Sequence, residues 1–299
     1  MGRRAITFLA AAALLGSACS ALDVSTGATT TTAPTTDLGT GTEQAIDAPQ
    51  TEEATTSTEA AASDDDTTTT TIFNRLVPIP EEPPPFEEVT LTTEDGVDIY
   101  AKYWIDGPTA VIFTHEYDAA QAGSGGQRPP QSSDSVLIWT SVLAANGHTV
   151  LSPDWRGHGQ SSGEYNVKES QLDAKAAYDF LVGEGYERIV MLAMTGSGPV
   201  VTDLIASDPG IEPAGLGLLW SPPQETGFDA TRALPDVEAS VWIIGYDSPR
   251  LARWPKLLEA KVVNHYGTYV FSQIPTGLQF IDVYGEEFAG RLLDFVESV

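Results

Sequence analysis

In the stretch MLAMTGSGPV (Met191–Val200) an apolar run passes through Thr-Gly-Ser-Gly into a helical pattern, which sets the hydroxyls of Thr195 and Ser197 where a strand gives way to a helix. A hydroxyl held at such a junction can attack a carbonyl when a base removes its proton and a third group orients that base. The histidines available are His115, His148, His158 and His265, and a carboxylate, Asp247, closes a second apolar run in SVWIIGYDSPR. Asp247 reads equally well as a turn or capping residue before Ser248-Pro249. TGSG has neither the G-x-G-x-x-G spacing of a dinucleotide loop nor the lysine of a P-loop. The histidines lie in separate segments and form no close ligand pair, so neither a metal nor a cofactor is expected.

Strands and helices must alternate to bring these residues together. A hairpin-like opening about Asp95-Gly96 leads to a strand TAVIFTH, a helix SVLIWTSVLAANG and a strand HTVLSPD. A helix ESQLDAKAAYDFLVGEG, a strand RIVMLAM and a helix GPVVTDLIAS follow; then come strands GLGLLW and ASVWIIGYD, a strand EAKVVNHY and an amphipathic helix EEFAGRLLDFVES. This order predicts an α/β domain with a mostly parallel central sheet covered on both faces. The segment SPPQETGFDATRALPDVEA is too short for a large helical lid, so a site at the sheet's edge would be open.

Three segments resemble the α/β-hydrolase family over essentially the whole of Phe86 to Val299. PDWRGHGQSSG (Pro153–Gly163) is similar to the D-x-R-G-x-G-x-S turn of many members; there Asp154 and Arg156 are expected to pair, and His158 is expected to be a loop residue. VIFTHEYD is similar to the strand and His-Gly loop that supplies an oxyanion N–H, with Glu116 in place of glycine. RIVMLAMTGSGPVV is similar to the strand and nucleophile turn. The resemblance is to the small, lidless branch that includes serine esterases and dienelactone-hydrolase-like proteins. It implies Thr195 as nucleophile between the small residues Ala193 and Ser197, oxyanion N–H groups from Gly196 and from Glu116 or Tyr117, and Asp247 as the acid. A register two residues later would make Ser197 the nucleophile, with the rigid Pro199 at a position that needs a small residue. VVNHYGTYVF resembles a His-Gly-Thr ending, which implies His265 as the base if the strand ends early, and Tyr266 in its place if the match runs without a gap.

Threonine for serine, tyrosine in register with the base and glutamate beside the oxyanion site all depart from the pattern. Threonine's methyl crowds the approach to its hydroxyl, and tyrosine, with a pKa near ~10, is a poor base at neutral pH. A carboxylate pointing into an oxyanion site opposes it, so Glu116 is expected to turn its side chain away. Two functions therefore stand side by side. One is a hydrolase of esters, thioesters or small amides acting by acyl transfer. The other is a catalytically degenerate binding protein for a component of the cell envelope.

The chain opens MGRRAITFLAAAALLGSACS: two arginines, an apolar run too short to span a bilayer, and small residues before Cys19, the one cysteine of the chain. Residues 1–19 read as an export signal, with Cys19 resembling a bacterial lipoprotein processing site; simple secretion is the alternative. Residues 20–85 read as a stalk rich in Thr, Asp, Glu and Pro with too few apolar residues to fold, and 86–299 as the domain. The expected place is the outer face of the cytoplasmic membrane, held through the N-terminal lipid alone. The formal charge is −27, and the 32 acidic against 13 basic residues left outside 1–71 argue against nucleic acid as a partner.

Overall fold

The computed structural model describes residues 75–117, 132–248, 251–272 and 278–299. The signal-like segment with Cys19, and the low-complexity segment up to residue 74, lie outside the described residues. One sheet is built from β1 (Glu87–Thr92), β2 (Asp98–Trp104), β3 (Thr109–Tyr117), β4 (Thr149–Pro153), β5 (Arg188–Thr195) and β6 (Gly215–Leu219). After a small hairpin of β7 (Gln224–Glu225) and β8 (Phe228–Asp229), the sheet resumes with β9 (Ser240–Asp247) and β10 (His265–Ser272). The helices are α1 (Leu137–Ala145), α2 (Ser170–Gly183), α3 (Ser197–Ser207), α4 (Ala230–Ala233), α5 (Arg253–Glu259) and α6 (Leu278–Ser298). The strand order is β1-β2-β4-β3-β5-β6-β9-β10. Pairing is antiparallel for β1–β2 and β2–β4 and parallel from β4 to β10.

Alternation along the central strands splits the apolar residues between two cores. Ile112, Met191, Ala193, Leu218 and Ile243 face α2 and α3, together with Tyr178, Leu181, Val201 and Leu204. Phe113, Leu192, Leu219, Trp242 and Ile244 face α1 and α6, together with Trp139, Leu143, Phe288 and Phe295. From β3 the chain crosses to β4 on one side and returns to β5 on the other, so the sheet changes direction at β3. In an open parallel sheet the crevice beyond the strands' carboxyl ends at such a reversal is where ligands bind.

The folded part begins earlier than the composition suggests. Residues 75–86 form a strap on the domain. The Val77 N–H donates to the Glu286 carbonyl at 3.1 Å, its side chain is buried, and Arg75 pairs with Asp294 and Glu297 of α6 at 3.3 and 2.7 Å. The Trp104 indole donates to the Pro84 carbonyl at 3.0 Å, and Phe86 packs on the same indole at 5.1 Å between centroids. Gly290 admits the strap, since any side chain there would meet the Arg75 carbonyl. The expected boundary at Phe86 is therefore corrected: the proline-rich approach supplies docked residues because Trp104 and α6 offer them apolar surface.

The Asp154–Gly163 turn is also braced differently from the expectation. Arg156, buried, binds Asp95 at 2.7 Å, Glu169 at 2.9 Å and Asp173 at 2.8 Å, tying the β1–β2 turn and α2 to this loop. Asp154 instead accepts the N–H groups of Ser133 at 2.6 Å and Gln160 at 2.8 Å.

Candidate active site

Thr195 closes β5 with φ at +50°, a left-handed conformation that a β-branched residue resists. Gly196 follows in helical geometry as the cap of α3, which begins at Ser197. Such a turn lifts the Thr195 side chain off the strand's end, beside the positive pole of α3. Its Oγ1 is buried and has no hydrogen-bond partner among the described residues. Ser197 stands differently. It is fully buried, its hydroxyl donates to the Met194 carbonyl at 2.7 Å, and Thr114 Oγ1 lies 3.0 Å away. The alternative register with Ser197 as nucleophile is overturned by this engagement inside the turn. Gly198 has no room for a side chain because Ser221 packs against it, which holds α3 close to the end of β6.

The base is the principal correction. Register pairs Met194 with Leu219, Leu219 with Ile244 and Gly245 with Val270, so Thr195 lies level with Gly245 and Val270. His265 opens β10, five residues earlier, and pairs with Val241 at the start of β9. Val241 lies four residues before Gly245, so His265 is about 13 Å away along the strand direction and about 14 Å across three strand spacings. There it is exposed, with Nε2 2.9 Å from Thr268 Oγ1. Tyr266 stands at the same far end, its ring 5.0 Å from Phe295. Neither His265 nor Tyr266 meets Thr195. The expectation took VVNHY as the strand; the strand is HYGTYVFS, and it carries both residues to its amino end. The segment after β10, 273–277, reads Gln-Ile-Pro-Thr-Gly; it contains no histidine and lies outside the described residues.

The remaining histidines are all built into the fold. His115 is fully buried; its Nε2 accepts the Trp155 N–H at 3.2 Å, so Nδ1 donates to the Glu116 carbonyl at 2.8 Å. Burial, and then the neighbouring His158, push its pKa down to about 3, which leaves the ring neutral. His158 is buried in its loop, with Nδ1 3.0 Å from the Arg156 carbonyl. His148 is buried where the chain enters β4.

Asp247 ends β9, exposed, two residues beyond the level of Thr195 and two strands away, in register with Ser272. Glu116 lies in an irregularity of the β3–β5 pairing between Thr114 and Tyr117, and Tyr117 pairs with Thr195. Tyr246, near the end of β9, has its phenol pushed up to about 12 by burial and then by the Glu116 charge. Because β5 and β6 separate β3 from β9, these two side chains act on each other across the ends of the strands that carry Thr195 and Trp220.

Trp220 is the site residue that sequence reasoning missed. It follows β6, also left-handed with φ at +54°, and donates its backbone N–H to the Ile244 carbonyl at 2.8 Å. Its indole stacks on Tyr246 at 5.3 Å and meets Phe280 edge-on at 5.3 Å, yet the indole Nε1 is buried with no partner among the described residues. A tryptophan before Ser221-Pro222 was the one available signal.

No family model and no curated protein matches this chain. Solved structures do. An esterase of Exiguobacterium antarcticum is 12% identical, with 71% of this chain and all of that one aligned at a TM-score of 0.56. An esterase of Pyrococcus furiosus is 16% identical over 75% of this chain and 98% of its own, with a TM-score of 0.55. A bromoperoxidase of Bacillus anthracis is 14% identical over 71% and 100%, also at 0.55. The chain has the α/β-hydrolase fold. Thr195 stands at the strand-to-helix turn that follows β5, and Asp247 at the end of β9. Between β6 and β9 the described residues hold only the β7–β8 hairpin, α4 and a single turn, and no large lid. Among the described residues no helix is long and apolar enough to cross a membrane, and no cluster of His, Cys, Asp and Glu could hold a metal.

Proposed function

We propose that this chain hydrolyses carboxylic esters, thioesters or small amides through acyl transfer to Thr195. The strained turn supports the reading: a β-branched residue is held left-handed at the tip of β5 with its hydroxyl unengaged. Thr195 Oγ1 attacks the acyl carbonyl and gives its proton to solvent water, and the Gly196 N–H faces the developing oxyanion. The alcohol, thiol or amine leaves with a proton from water, and water then cleaves the threonine ester to release the acid; Asp247 lies at the rim. Without a histidine to take the proton, turnover is expected to fall about two to four orders of magnitude below that of a complete triad. The chain is further proposed to be exported and held by a lipid on Cys19.

A second reading, a non-catalytic protein that binds an acyl-bearing envelope component, is favoured by one observation: each histidine of the chain lies buried in the fold or at the far end of β10. Reaction of the full chain with a fluorophosphonate probe and p-nitrophenyl butyrate separates the two. The hydrolase reading expects labelling and slow turnover, both lost in Thr195→Ala, faster in Thr195→Ser and unchanged in His265→Ala. An inert native chain that becomes reactive only as Thr195→Ser selects the binding protein.

A further inference from the structure

We propose that Trp220 is a ligand-binding residue of the Thr195 site, its indole N–H donating to the oxygen of an uncharged carbonyl compound whose carbon faces the Thr195 hydroxyl. This rests on the reading that an acyl ligand enters at Thr195. Met194 pairs with Leu219, so the next residues, Thr195 and Trp220, stand side by side at the carboxyl ends of adjacent strands. Both are left-handed non-glycine residues, and among the described residues they are the two with that geometry. Each also carries a buried polar atom without a partner among the described residues, Thr195 Oγ1 and Trp220 Nε1. Strain of about 1–3 kcal/mol at each backbone persists only where the surroundings impose it, and such strain gathers at ligand sites. A buried N–H left unpaired has its own cost, which an incoming acceptor removes.

The indole is fixed from two sides, by Tyr246 stacked on it and by Phe280 and Phe288 at 5.3 and 5.1 Å. Its donor therefore needs no reorganisation when a ligand arrives. An indole offers hydrogen and never accepts, so its partner is an oxygen with a lone pair. Thr195 supplies a neutral hydroxyl and Trp220 a neutral N–H, and neither brings a cation to balance a carboxylate's charge. An ester or amide carbonyl therefore fits better than a free carboxylate.

The test uses the full chain labelled with ¹⁵N at tryptophan, with the Trp220 indole resonance assigned by its loss in Trp220→Phe. Methyl butyrate is titrated beside methyl butyl ether, which lacks the carbonyl, and butyrate, which adds a charge. The expected result is a downfield shift of the Trp220 indole proton with the ester alone, and an affinity about fivefold to tenfold weaker in Trp220→Phe, which keeps a ring without the donor. The proposal is overturned if the ester does not bind, if the ether moves the resonance as far, or if butyrate binds as tightly. Turnover is followed separately in the same samples. Ester binding at Trp220 without hydrolysis leaves this inference standing while the hydrolase reading falls.

Discussion

Thr195 combines a β-branched side chain with a left-handed backbone, and the two work against each other. Replacing it with glycine removes the strain and adds some disorder to the unfolded chain, so Thr195→Gly is expected to be about 1 kcal/mol more stable. Thermal unfolding checks this, and a lower melting temperature would mean that the turn is not strained. His115 makes the opposite kind of demand. Its folded pKa lies near 3 against 6.5 in the unfolded chain, so between those values the unfolded state binds the extra proton. Its contribution to stability is complete above pH 6.5 and is lost as pH falls toward 3. Between pH 6.5 and 5 this amounts to about 2 kcal/mol. Urea unfolding at the two pH values should show that loss, smaller in His115→Gln. The strand-to-helix turn at Thr195 was legible because a continuous apolar run gives way there to TGSG and then to a helical pattern. His265 was misplaced because β10 is an edge strand of mixed burial. Its alternation is weak, and the apolar Val262-Val263 just before it reads more like a strand than the strand does.

Elements are joined here by a few buried groups. Arg156 binds acids from the β1–β2 turn, the segment before α2, and α2 itself, and Asp173 in α2 has no exposed surface. Arg156→Met leaves Asp173 buried without its partner and is expected to cost about 3–5 kcal/mol, much of it regained when Asp173→Leu is added. Chemical denaturation of the single and double variants measures both. The alternation of strands and helices was readable from periodicity because the central strands are buried on both faces and run continuously apolar. The Arg156 network was not, since Asp154 and Asp173 stand at equally plausible distances from it in the chain and the fold alone decides between them.

For the molecule as a whole, the boundary is the feature that composition concealed. VPIPEEPPPFEE reads as an extended approach, and it is one, but part of it lies against α6. A chain beginning at Phe86 is expected to melt about 5 °C below one beginning at Thr67, because it loses Val77, Arg75 and the Pro84 contact to Trp104. Gly290→Ala should destabilise the longer chain by about 1–3 kcal/mol and the shorter one hardly at all, since the clash is with the strap. Equal effects in both would show that the strap does not occupy that groove.

The strap also determines where a mechanical load enters. Tension pulling on the chain upstream of Arg75 reaches α6 first, through Arg75 and Val77, and reaches β1 only after the strap has come free. The strap is thus a sacrificial link: under a weak pull its salt bridges part while the eight-stranded sheet stays closed. A single-molecule stretching trace should show a small early extension of at most about 40 Å, the full reach of some twelve residues at 3.3–3.6 Å each less the span the strap already covers, before the large event in which the sheet unravels.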